Sequence, residues 1–191
     1  MKIFSLIILI YIFPLPILDC LAHFGKKLWR KFSITTILLV VTFWIFIFFL
    51  SFSFQDFIFK IKFSPPLLIR IFGLIFLVLI IILETLSLAK LGFARLIFLP
   101  EIFPQSYHQK LIKTGIYKFI RHPRYLIYFI LWPLAMVLFT GYFIFFFFFL
   151  LATTILLVLL ISTEERELIE RFGQEYKEYK KKSFALLPKI F

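Results

Sequence analysis

The sequence is short of much that marks a soluble enzyme. Its 191 residues hold one cysteine, six glycines and ten acidic side chains against 22 lysines and arginines. The lone Cys20 excludes an intrachain disulfide. No G-x-G-x-x-G run is present, so nothing marks the phosphate-binding turn of a Rossmann unit. There is no internal repeat and no disordered linker, and 191 residues leave one domain as the expectation. The opening Met1-Lys2 and apolar run lack a small-residue cleavage site, and Pro14 and Pro16 interrupt them. They read as a retained span, not a signal peptide. What is abundant is hydrocarbon: 62% of residues are hydrophobic, 30 are Phe, and the mean hydropathy is +1.02. A soluble globule of this size leaves too much surface wet to hide that composition. The chain is expected to be an all-α integral membrane protein, because backbone groups in lipid must be satisfied within the segment.

Five apolar runs approach the ~20 residues needed to cross a bilayer. They cover about residues 3–21, 33–54, 66–88, 125–139 and 142–161. Gly141 leaves only a very short turn between the last two, which predicts a tight antiparallel hairpin. The charges fall between the runs. Lys26, Lys27, Arg30 and Lys31 follow the first. Lys90, Arg95, Lys110, Lys113, Lys118, Arg121 and Arg124 separate the third from the fourth. Seven more basic residues follow the fifth. With five spans, all three groups share one side, which predicts a cytoplasmic carboxyl terminus. The +12 charge is then a matter of headgroups and topology, not of nucleic acid.

This gives one membrane domain in four parts: three spans in 1–88, a connector in 89–124, the hairpin in 125–161, and a cytoplasmic tail in 162–191. The connector is too long to be idle. Its "FARLIFLPEIFP" is apolar but broken by Pro100 and Pro104, which predicts an interfacial or re-entrant piece. In the tail, Leu168, Ile169 and Phe172 at helical spacing predict a helix from about 163 to 172, ended or kinked at Gly173.

Two polar groups carry the chemistry. The stretch "KTGIYKFIRHPRYLIYF" sets Lys113, Lys118, Arg121, His122 and Arg124 around Pro123. Such a cluster serves as a membrane anchor, but its order allows more. Pro123 suits the first turn of a helix. Arg121 and His122 then sit at a helix amino terminus, where free N–H groups favour an anion, with Tyr125 one turn on. The second group is Glu164-Glu165. The short turn at Gly141 makes the far ends of the hairpin neighbours, so Arg121, His122 and Tyr125 should face Glu164 across a crevice. Ser162 and Glu165 also have capping-box spacing, and capping a new helix is the other reading of that group.

The order of these residues resembles a known pattern. "GIYKFIRHPRY" is similar to the G-x-Y-x-x-x-R-H-P-x-Y signature of the isoprenylcysteine carboxyl methyltransferase and phospholipid methyltransferase superfamily. "KLIKTG" resembles its Leu-Val-x-x-Gly lead-in, with Gln109 where the family often has His. "EERELIERFGQEYKEYKKKSFALLP" resembles its E-E-x-x-L-x-x-x-F-G-x-x-Y-x-x-Y tail. The resemblance covers about the last 80 residues.

It implies an enzyme that uses S-adenosylmethionine without a Rossmann domain or a metal. Gln109, Lys110, Leu111 and Ile112 would lie along the adenine. Tyr117, His122, Pro123 and Tyr125 would contact the cofactor from the loop and the fourth span, and Glu164 from the last helix. Arg121, Tyr125 and Glu165 are the candidate catalytic residues. The implied acceptor is a lipid or lipidated molecule, methylated on a carboxylate as in isoprenylcysteine. The alternatives are phospholipid N-methylation, for which Glu165 or Tyr125 would be the base, and a sterol-reductase-like NADPH-dependent oxidoreductase. A non-catalytic scaffold and a small transporter are further readings. The transporter is disfavoured because the middles of the second and fifth spans carry almost no polar residues.

Overall fold

The computed structural model describes residues 1–24, 26–92 and 110–186. Among them the chain is helical, with only two isolated β-bridges, and the protein is an all-α integral membrane protein. In order, the helices are α1 (Lys2–Ile12), α2 (Leu15–Phe24), α3 (Lys26–Ser53), the short α4 (Gln55–Ile58) and α5 (Leu67–Leu91). A 3₁₀ turn, Gly115–Lys118, follows. Then come α6 (Pro123–Thr140), α7 (Phe143–Phe172) and α8 (Gln174–Lys182). The interfacial piece expected around Pro100 and Pro104 lies outside the described residues, as does Gln109.

Four stretches are long and apolar enough to cross a bilayer: Lys2–Leu21, Leu67–Leu91, Pro123–Thr140 and Phe143–Phe172. The expected second span corresponds to α3, whose apolar stretch, Ile37–Ser53, is shorter. The kink expected in the first span is the break between α1 and α2 at Phe13-Pro14. On α5 the side chains of Leu67, Leu68, Ile75, Leu79, Ile82 and Leu86 are exposed, as a face meeting lipid must be. Its buried side packs on α6. Gly73 makes that packing possible, since a Cβ there would lie 2.6 Å from the Phe139 backbone nitrogen.

The hairpin turn expected at Gly141 is present. Gly141 adopts φ +78, and a Cβ would lie 2.1 Å from the Phe63 carbonyl oxygen. A side chain is excluded there both by conformation and by space. Within α6, Pro133 cannot donate to the carbonyl of Phe129. The helix widens to a π-helical stretch over Leu126–Leu131 just before it. The Phe129 carbonyl also receives the Thr153 hydroxyl of α7 at 3.5 Å. A second π-helical stretch, Leu156–Leu160, lies within α7. The break in the ladder therefore becomes a point of contact between the two arms of the hairpin.

A polar clasp joins three helices inside the apolar core. Glu84 of α5 accepts from the hydroxyl of Tyr11 on α1, from the hydroxyl of Tyr128 on α6 at 2.9 Å, and from the indole N–H of Trp132 at 3.3 Å. Polar groups in an apolar setting must be paired, and here the pairing fixes the rotation of all three helices.

Candidate functional site

The site is assembled where α6 begins, where α7 leaves the apolar layer, and where the tail returns. Pro123 occupies the first turn of α6, as expected, with His122 as the residue that caps it. Helix α7 runs without interruption from Phe143 to Phe172, so the capping-box reading of Ser162 and Glu165 does not hold. Ser162 is interior to the helix, and its hydroxyl turns back to the Leu159 carbonyl at 3.4 Å. The carboxylates of Glu164 and Glu165 therefore project from the side of a continuous helix toward the start of α6.

The expected convergence is present. Arg121 Nε donates to Glu165 Oε1 at 2.7 Å. His122 Nδ1 lies 3.0 Å from Glu164 Oε2, and His122 Nε2 lies 3.6 Å from Glu165 Oε1. The second distance is that of an ion pair, too long for a hydrogen bond. The rings of His122 and Tyr125 stack at 5.5 Å, and the Tyr125 hydroxyl also bonds to Glu164. Burial of the His122 ring works against its charge. The neighbouring carboxylates, Glu164 foremost, outweigh that and raise its pKa to about 9, so it is an imidazolium at neutral pH.

The two carboxylates are not equivalent. Glu165 is buried, and both of its oxygens are engaged by cations, one by Arg121 and the other by Lys180 of α8. To act as the base for an amine acceptor it would have to give up one of these partners. Glu164 keeps 28% of its side chain accessible. Arg121 also donates to the backbone carbonyls of Lys180 and Ser183. Its charge thus ties the tail to α7.

A second difference concerns the amino terminus of α6. Its preceding amides do not stand open for an anion. Arg121 N–H donates to the Phe184 carbonyl at 2.7 Å, and His122 N–H to the Ala185 carbonyl at 3.0 Å. The tail lies alongside as a short strap, with Phe184 N–H returning to the Phe119 carbonyl. The Tyr179 hydroxyl donates to the Tyr117 carbonyl on the same side. No sequence pattern announces a loop that pairs with residues about 60 positions away.

Of the remaining expected residues, Tyr117 is buried and its hydroxyl lies 3.0 Å from that of Ser87 on α5. Pro123 is buried, Lys110 is exposed, and Leu111 and Ile112 are half-buried.

The sequence reading missed the contribution of α2. His23 Nδ1 lies 2.9 Å from Glu167 Oε2 of α7, and His23 Nε2 lies 3.1 Å from the Tyr125 hydroxyl. Burial disfavours its cation, but the bond to Glu167 and the nearby Glu164 and Asp19 raise its pKa above the ordinary value. Asp19, one turn earlier, is buried and acts on Arg124. The available signal was two ionisable residues near the end of an otherwise apolar span.

Two buried polar atoms at the site have no hydrogen-bond partner among the described residues: His122 Nε2 and the Tyr176 hydroxyl. Buried polar groups are rarely left so, and a ligand with oxygen acceptors would satisfy both. The Tyr176 phenol is held in its neutral form by burial.

A comparison with curated proteins gives no match. The sequence model of the isoprenylcysteine carboxyl methyltransferase (ICMT) family matches residues 73–170, which run from α5 through the carboxylates of α7. That segment is just over half of the chain and contains the Arg121–Glu165 and His122–Glu164 pairs: the protein belongs to the isoprenylcysteine carboxyl methyltransferase family, a family of membrane methyltransferases.

Proposed function

We propose that the protein transfers a methyl group from S-adenosylmethionine to a lipid or lipidated acceptor at the cytoplasmic face of the membrane. The observation that carries this reading is the meeting of His122, Tyr125 and Glu164, drawn from both ends of the hairpin, in a setting with orphaned polar atoms. The distribution of Lys and Arg between the spans supports the cytoplasmic side.

Each residue has a part suited to its surroundings. The His122 imidazolium is a fixed cation for the carboxylate of the donor's amino-acid portion. Glu164, the more accessible carboxylate, accepts from ribose hydroxyls or the donor's ammonium. Tyr117, Pro123 and Tyr125 form the wall next to them, and Lys110, Leu111 and Ile112 lead the chain in alongside the base, with Gln109 before them. Arg121 and Glu165 are better suited to holding α8 and the strap in place than to proton transfer, since both are already paired. The bound donor supplies an activated methyl on a sulfonium. What the chain must add is alignment and the exclusion of water.

Binding of labelled S-adenosylmethionine to the purified full chain tests this, with NADPH titrated in parallel. Glu164→Ala and His122→Ala should each lose donor binding while inserting normally into membrane. Unchanged binding in both variants would remove the site assignment, and preferential binding of NADPH would replace the reaction class. Incubation with methyl-labelled donor and total membrane lipid then identifies what carries the label.

A further inference from the structure

Beside the donor site proposed above stands a residue that lies outside both the motif and the matched segment 73–170. His23, near the end of α2, bridges the two arms of the hairpin. Its Nδ1 is 2.9 Å from Glu167 Oε2 of α7, and its Nε2 is 3.1 Å from the Tyr125 hydroxyl of α6. That hydroxyl bonds in turn to Glu164, which also holds His122. Glu164 and Glu167 are three residues apart on α7, so one face of the helix presents both. The result is an unbroken row of polar contacts from Glu167 through His23, Tyr125 and Glu164 to His122. The side chains of His23 and Glu167 keep 13% and 17% of their surface accessible, which lets the ring exchange protons with water.

The hydrogens available along that row fix what each group can do. A carboxylate only accepts, so the proton of a neutral His23 sits on Nδ1, facing Glu167. Nε2 is then an acceptor and takes the single hydrogen of the Tyr125 phenol, which leaves none for Glu164. When His23 is an imidazolium, both of its nitrogens donate. The phenol oxygen then accepts from Nε2, and its hydrogen goes to Glu164. A ring on α2 therefore decides whether Glu164 receives the Tyr125 hydrogen. Among the described residues, Asp19 faces the ring from its own helix, Glu164 and Glu167 from α7, and Tyr125 from α6, while Arg124 of α6 acts on Asp19. Burial works against the cation, but the bond to Glu167 and the charges of Glu164 and Asp19 outweigh it, so the ring titrates above the ordinary histidine value.

We infer that His23 is a positioning residue of the donor site: through Tyr125 it aims the Glu164 carboxylate at the ribose hydroxyls or the ammonium of S-adenosylmethionine. That role rests on the methyl-transfer reading. It is carried by the proton on the ring and not by its bulk. Donor affinity is highest with His23 charged, and the His23 contribution is lost as pH rises through the pKa of the ring.

The test measures binding of labelled S-adenosylmethionine to the purified full chain in nonionic detergent, from about pH 5.5 to about pH 8.5, for the wild type and for His23→Gln. In the variant Glu167 takes the amide N–H and the amide oxygen is left for Tyr125, which reproduces the neutral ring at every pH. His122 and the donor's own amino group titrate alike in both proteins, so the ratio of the two affinities isolates His23. The wild type should bind about tenfold more tightly at the acid end, as the loss of one hydrogen bond to a charged group predicts, and the ratio should close toward one at the alkaline end. With Tyr125→Phe added to both proteins, the ratio should no longer change with pH. A ratio that is constant in the first pair would reduce His23 to packing, and a pH dependence that survives Tyr125→Phe would take Tyr125 out of the path; either overturns the proposal. Should His23→Gln fail to fold, Glu167→Gln decides. The ring then loses its nearest carboxylate, so the fall in donor affinity should move to lower pH, and an unmoved profile refutes the role. Absence of donor binding by the wild type ends the methyl-transfer reading and the His23 role with it, whereas donor binding with a constant ratio ends only the His23 role.

Discussion

Replacing His122 by Gln removes a charge from the centre of the site with little change in size. The amide can still bond to Glu164, but it cannot be a cation. The ordinary histidine pKa of 6.5 is raised here to about 9. At about 1.4 kcal/mol per unit, this corresponds to roughly 3 kcal/mol of stability from the protonated ring. The side chain is only 3% accessible, so solvent screening takes little of that away. Because the folded-state value lies above the unfolded one, the contribution is whole below pH 6.5 and is lost as pH rises through about 9. Thermal unfolding in nonionic detergent, followed by tryptophan fluorescence between pH 6 and 9.5, reads it directly. At roughly 2–4 °C per kcal/mol for a chain of this size, the wild-type midpoint should drop by about 6–12 °C across that window. His122→Gln should start lower, stay flat, and meet the wild type near the alkaline end. Parallel curves would refute the reasoning. A gap that widened toward high pH would show that the folded ring is neutral.

Three other substitutions probe the frame around that ring. Arg121→Leu leaves Glu165 with Lys180 and the more distant His122 and removes the side-chain bonds to the tail, which should cost about 3 kcal/mol and expose the tail beyond Lys182 to limited proteolysis. An undiminished midpoint with a protected tail would contradict this. Gly141→Ala forces a Cβ toward the Phe63 carbonyl and a side chain into positive φ, so insertion yield should fall by several-fold, measured as the fraction of chain resistant to carbonate extraction. His23→Ala breaks contacts to both Glu167 and Tyr125 and should cost about 1–3 kcal/mol. It should also speed amide exchange at the α2 end without displacing α8, as read by hydrogen exchange.

Much of this site could be read from local order. Gly141 announces a hairpin because almost nothing else turns so tightly, and a hairpin makes neighbours of the Arg121–Tyr125 and Glu164–Glu165 segments whatever the rest of the fold does. Pro123 marks a helix start for the same kind of reason: its missing N–H is harmless only in the first turn. The assignment of partners was less legible. Two adjacent carboxylates on a helix point in directions about 100° apart, so which one meets Arg121 depends on the rotation of α7. The rotation comes from packing, and it gave Arg121 to Glu165 and left Glu164 to His122.

By itself, then, the sequence determined the elements: apolar runs that must be helices in lipid, the turn that pairs the last two, and the motif that bonds across them. These follow from local steric rules and from the need to satisfy every backbone group within its own segment. Only the tertiary structure decided that the tail would take the Arg121 and His122 amides, that α2 would bring Asp19 and His23 to the site, and that Glu84 would gather its donors from α1 and α6. Each of those contacts joins residues far apart in the chain. Their meeting depends on how whole helices are rotated and docked, which no short stretch of residues encodes.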